Sequence, residues 1–139
     1  MPEANMTAHR IRLRGPWLLE PAASAERPAR TVRLPARWGE LLEIGTHRVR
    51  LSRRFHRPTN LGPSDRVSLV VDELPEGAEV SLNGERLGLQ AGDPAGRTIF
   101  PTRALEPTNL LTLEFEIGPK PAGDEPWGDV ALLISSSLP

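Results

Sequence analysis

The sequence has no cysteine. That excludes a disulfide framework, a thiolate zinc site and a cysteine nucleophile. Histidine is scarce: His9, His47 and His56 are scattered and stand in no HExxH-type spacing, so no metal centre is expected. No segment approaches the roughly 20 apolar residues of a membrane span, and residues 1–14 hold no apolar run of secretory-signal length. A cytoplasmic protein without a membrane partner is the expectation. Stretches of Ala, Leu, Glu and Lys at helical spacing are missing too. So are a nucleophile elbow, a GxGxxG turn and a P-loop, which leaves no expected cofactor and no recognisable catalytic residue.

What the chain has in quantity is punctuation: 15 prolines and 12 glycines in 139 residues. That composition favours strands joined by turns. The organising stretch is DRVSLVVDELPEGAEVSLNGERLG, Asp65 to Gly88. Val67, Leu69 and Val71 alternate with Ser68, Val70 and Asp72, and Val80 and Leu82 alternate with Glu79, Ser81 and Asn83, the period-two signal of strands with one buried face. Asn83-Gly84 supplies the two residues that tolerate positive φ in a type I′ hairpin, so 79–83 is expected to fold back onto 85–89. Asn83 and Gly84 are assigned to turn geometry.

The other strands read as follows. His9 to Arg14 alternates Ile11 and Leu13 against Arg10, Arg12 and Arg14, and Gly15-Pro16 ends it before Trp17. Thr31 to Leu34 is short. Thr46 to His56 puts Val49, Leu51 and Phe55 on one face and Arg48, Arg50, Ser52 and Arg54 on the other. Arg53 falls on the apolar face, where it must reach an edge or a carboxylate, because an unpaired buried guanidinium is costly. Thr98 to Leu105 is interrupted by Pro101, which marks an edge or a bulge. In Asn109 to Ile117, Leu111, Leu113, Phe115 and Ile117 face one way, and Trp127 to Ser135 closes the chain. Residues 40–44 fit a helical turn or an extended piece equally well. The expected fold class is all-β, a sandwich of two antiparallel sheets with about eight strands, in a single domain over 9–139 after a flexible terminus at 1–8. Gly118 to Pro126 is expected to be a flexible loop.

This order of segments resembles a known family. It consists of Gly15-Pro16-Trp17, VRLPARW at 32–38, RVRLSRRF at 48–55, RVSLVVDEL, the AEVSLNGERLG hairpin, and TIFPTRALEPTNLLTLEFE at 98–116. It looks like the amino-terminal sugar-binding domain of the β-galactosidase and β-glucuronidase family, a jelly-roll β-sandwich of the galactose-binding-domain type. The most specific piece pairs V-x-L-N-G-x-x-L-G with the later L-x-x-x-N-x-L-x-L from Leu105 to Leu113. In that family a catalytic barrel carries the paired carboxylates, and the resemblance here covers only the sandwich. It therefore implies a noncatalytic role, and fold alone does not fix function.

Glu114 and Glu116 share a strand face at roughly 7 Å, within the range of a glycosidase pair, but an outward face opposite arginines has nothing to raise one pKa. For carbohydrate recognition the candidates are Trp127, which follows a Pro/Gly-rich loop, as a stacking plane; Arg54, His56 and Arg57 at one strand end; Asn60 in the next loop; and Asp93 and Arg97 after the hairpin. For each of the polar candidates, a solvated loop residue or a cross-strand charge pair is the reading favoured over a binding role. Trp17 and Trp38 stand at positions where the resemblance implies core or rim packing. The alternative is a structural or protein-interaction module, self-pairing through the Pro-interrupted TIFPTRAL edge.

Residues 1–60 carry 12 Arg against 5 Glu, and residues 61–139 carry 5 Lys and Arg against 13 Asp and Glu. Nucleic acid is not the expected partner, because the arginines are spread along strands without interleaved aromatics. Early and late strands lying side by side would pair these charges across the sheet.

Overall fold

The computed structural model describes residues 6–21, 29–37, 48–59, 61–62, 65–74, 77–87, 91–92, 97–102, 105–116 and 126–137. Alternation of apolar and polar residues sets the architecture, since each strand has one face to bury. Five strands form one sheet in the order β1 (Met6–Arg12), β13 (Val130–Ser137), β6 (Asp65–Asp72), β10 (Arg97–Pro101), β9 (Ala91–Gly92). Six form the other, in the order β3 (Arg30–Val32), β2 (Trp17–Pro21), β5 (Arg48–His56), β11 (Thr108–Glu116), β7 (Glu79–Leu82), β8 (Glu85–Arg86). A two-stranded ladder of β4 (Ala36–Arg37) and β12 (Pro126–Trp127) completes the described strands. All pairings are antiparallel.

The inner faces of the two sheets make one core. Val67, Leu69, Val71, Val130, Leu132 and Phe100 come from the five-stranded sheet. Trp17, Leu19, Val49, Leu51, Phe55, Val80, Leu82, Leu111, Leu113 and Phe115 come from the six-stranded one. The fold is thus an all-β antiparallel sandwich, as the alternation indicates. The described residues hold thirteen strand segments in place of about eight. Five of them, β3, β4, β8, β9 and β12, are two or three residues long, too short for a periodic signal.

Other boundaries shift as well. β1 begins at Met6, so residues 6–8, expected in the flexible terminus, pair with Ser135–Ser137. β10 is not a bare edge: the two residues of β9 pair with Thr98 and Ile99. The hairpin forms as expected, with Ser81 opposite Arg86 and Leu82 opposite Glu85, and with φ of 54° at Asn83 and 86° at Gly84. Residues 40–44 and 118–125, with Trp38, lie outside the described residues.

The chain passes from the first sheet to the second through residues 13–16, and this crossover is tied on all sides. The Leu13 amide donates to the Val130 carbonyl at 2.8 Å, and the Trp17 indole donates to the Leu13 carbonyl at 2.7 Å. The Leu34 amide donates to the Arg14 carbonyl at 2.6 Å.

Candidate functional site

Strand β5 is paired along its whole length with β11, from Arg48 opposite Glu116 to His56 opposite Thr108. On its other side β2 covers only Val49 to Ser52. Residues 53–56 therefore overhang beside the crossover, and a groove of about 260 Å³ opens between this overhang and the end of β1. Its apolar part comes from Ile11, Leu13, Phe55, Pro58 and Leu132. Ile11 stands directly opposite Leu132 and so shares the inward face, yet it is 40 % exposed, because β1 is the sheet's edge. The polar part comes from Arg12, Arg53, Arg54 and His56.

Arg53, on the inward side of the strand, resolves its conflict through the backbone. Its Nη1 donates to the Arg54 carbonyl at 3.2 Å and its Nη2 to the Gly15 carbonyl at 3.4 Å. The internal carboxylate considered from the sequence is not its partner among the described residues. Its Nε is buried and has no hydrogen-bond partner there, and desolvation holds the guanidinium below its ordinary pKa.

Of the sequence candidates, Arg54 and His56 thus meet at this groove. Arg57 leaves the strand, its amide donating to the Pro107 carbonyl at 3.1 Å. Its side chain borders a second, wider hollow of about 600 Å³ with Asp65, Arg66, Thr102 and Leu105. There the Asp65 carboxylate accepts from the Gly62 amide at 2.6 Å, and the Thr102 hydroxyl donates to the Val67 carbonyl at 2.7 Å. Arg97 stands opposite Asp72, at the other end of β6 from Asp65 and about 23 Å along that strand. It is not brought to the cluster. Asn60 and Asp93 lie outside the described residues.

Trp127 needs correction. It is 3 % exposed, with its ring edge-on to Phe115 at a centroid distance of 5.1 Å and its indole N–H donating to the Glu73 carbonyl at 2.8 Å. A ring held this way offers no plane to a ligand. The groove residues that sequence reasoning passed over are Ile11, Arg12 and Pro58, since nothing in their spacing reveals that β2 stops short of them.

The outward carboxylates are paired as the charge distribution suggests. Glu114 Oε1 accepts from Arg50 Nη2 at 3.1 Å and Nε at 3.3 Å, and Oε2 accepts from Arg48 Nη2 at 3.1 Å. Glu116 lies 3.7 Å from Arg48. Desolvation alone would raise the Glu114 pKa, but the hydrogen bonds and charges of Arg48 and Arg50 outweigh it and leave the group below the usual carboxylate range. That is the reverse of what a general acid requires. Among the described residues no group of three or more His, Asp or Glu is placed to hold a metal ion.

No protein-family model matches the chain, and no curated protein sequence matches it significantly. Solved structures do. The chain superposes on the FMN-binding β-glucuronidase of Faecalibacterium prausnitzii L2-6 with a TM-score of 0.68 at 24 % identity, over 94 % of this chain and 23 % of that one. For the Bifidobacterium dentium β-glucuronidase complexed with coumarin-3-O-glucuronide the TM-score is 0.66 at 17 % identity, over 94 % and 30 %. For the β-D-mannosidase of Dictyoglomus thermophilum it is 0.57 at 13 %, over 80 % and 16 %. At these identities the likeness is one of fold, and the chain spans less than a third of each of these proteins.

Proposed function

From a fold shared with part of these glycosidases, we propose that the chain is a noncatalytic carbohydrate-recognition module whose site is the groove at the overhanging end of β5. The observation that carries this reading is the meeting of Arg54 and His56 with an accessible apolar wall, Ile11 above all, in one concavity of about 260 Å³. A pyranose has an apolar CH face and a rim of hydroxyls. The groove offers an aliphatic surface to the first and guanidinium and imidazole donors to the second. Aliphatic Ile11 and Pro58 take the place that Trp127 was expected to fill. Catalysis is no part of the reading, because Glu114 is held ionised between two arginines.

Titration with a broad panel of mono- and oligosaccharides, followed by NMR shift perturbation, tests it. Shifts concentrated at the Ile11 methyls and the His56 ring are the expected result. Silence across the panel at millimolar ligand removes the reading. A second reading, docking of another protein or a second copy, has in its favour the side of β1 that carries no strand among the described residues. It requires a complex or a concentration-dependent mass in solution, and a strict monomer that captures no protein counts against it.

A further inference from the structure

β1 stands at the end of its sheet, with β13 on one side and no strand on the other among the described residues. The Leu13 amide donates to the Val130 carbonyl at 2.8 Å, which continues the register of β1 with β13 and marks 13 and 130 as a hydrogen-bonded pair. Bonded and non-bonded pairs alternate along an antiparallel ladder. The backbone groups of Thr7, His9 and Ile11 therefore turn to β13, and those of Ala8, Arg10 and Arg12 turn to the open side.

Exposure along the strand agrees with this. In β11, which has neighbours on both sides and the core beneath it, only the two end residues are exposed. In β1, His9, Arg10, Ile11 and Arg12 are exposed in succession, inward and outward positions alike. The stretch is bare on both faces as well as along its edge. Ile11 shares the inward face with Leu132, yet it is 40 % exposed where Leu132 is 2 %. An apolar side chain laid beside it would remove that surface from water. On the outward face Arg10 has its own acids, Asp129 at 3.0 Å and Asp72 at 3.7 Å. Arg12 forms no ion pair with a described residue.

An edge of this kind is a template for one more strand. Two copies paired through β1 would crowd four arginines onto one face of a two-stranded ribbon, where like charges repel. The edge therefore favours an occupant of opposite charge. We infer that β1 takes an extended peptide of a partner protein as an added antiparallel strand, with an apolar residue opposite Ile11 and an acidic residue opposite Arg12. Its backbone bonds to Ala8, Arg10 and Arg12. This rests on the docking reading above and names the chemistry of the partner. A strand held there covers Ile11, so it competes with a saccharide for the groove.

The test is a titration of the full chain with three capped heptapeptides. The first alternates valine and glutamate, with every valine N-methylated. Those nitrogens face away from β1 when a glutamate lies opposite Arg12, so the methyl groups stop the peptides stacking on one another and leave the ladder to β1 intact. The second carries lysine in place of glutamate, and the third has its methyl groups on the glutamate nitrogens instead. The first peptide is expected to slow hydrogen exchange at the Ala8, Arg10 and Arg12 amides and to bind about tenfold or more tighter than the second, while the third does not bind. Arg12→Glu, at an exposed position, is expected to reverse the preference between the first two, which a merely weakened fold would not do. Failure of the first peptide to bind, equal binding of the first two, or protection that omits these amides overturns the strand inference. The docking reading then stands if the chain still forms a complex or shows a concentration-dependent mass. Protection of the same amides by self-association without peptide assigns the edge to a second copy and overturns the acidic partner. If no peptide binds and the chain stays a monomer that captures no protein, both fall.

Discussion

Asn109 is 1 % exposed, the one polar residue among the described residues that is fully buried. Its Oδ1 accepts from the Glu106 amide at 2.9 Å and from Asn83 Nδ2 at 3.0 Å, and its Nδ2 donates to the Glu106 carbonyl at 2.8 Å and the Phe55 carbonyl at 3.5 Å. Asn83 in turn accepts from the Leu110 amide at 2.8 Å. Asn83 is therefore more than a turn former, because it ties the β7–β8 hairpin to β11. This gives a physical reason for the two sequence patterns to occur together: the Asn of V-x-L-N-G and the Asn of L-x-x-x-N-x-L-x-L are hydrogen-bonded to each other. Asn109→Ala would strand several buried partners, and a loss of about 2–3 kcal/mol in chemical denaturation is expected. Trp127→Phe would cost the indole bond, about 1 kcal/mol, and is expected to leave saccharide binding unchanged, since the ring lies in the core.

At the scale of strands, the β5–β11 ladder holds the cross-strand pairing of Arg48 and Arg50 with Glu114. The Glu114 pKa is lower folded than unfolded, so the stability it contributes is complete above the unfolded carboxylate value of about 4.3. That stability is lost as pH falls through the folded value. Glu114→Gln is therefore expected to flatten the acid limb of stability, with urea midpoints that differ from the parent at pH about 7 and converge toward pH about 3. Most of these strands were legible, because alternation over eight or nine residues, as in β5, β6 and β11, leaves little choice of face. The two-residue ladders were not, since their pairing depends on what the rest of the chain brings beside them. Trp127 misled for the same reason. Its sequence neighbours are loop-like, while its register opposite Ala36 turns it inward. Arg54 and His56 were legible as a strand end, whereas Ile11 became part of the site only because β2 falls short.

Across the whole molecule, arginines of the basic first half meet carboxylates of the acidic second half, Arg10 with Asp72 and Asp129 and Arg48 and Arg50 with Glu114. The two sheets share one core, so a cavity at its centre weakens the entire sandwich. Leu111→Ala is expected to cost about 2–5 kcal/mol with an unchanged denaturant slope, the signature of one cooperative unit. The crossover at 13–16 bears on recognition as well. It is hydrogen-bonded to Val130, to Leu34, to the Trp17 indole and to Arg53, so the wall beside the groove has no slack before any guest arrives. Association there would spend little entropy on arranging the host, and affinity would depend almost wholly on how well the guest fits a mould already set.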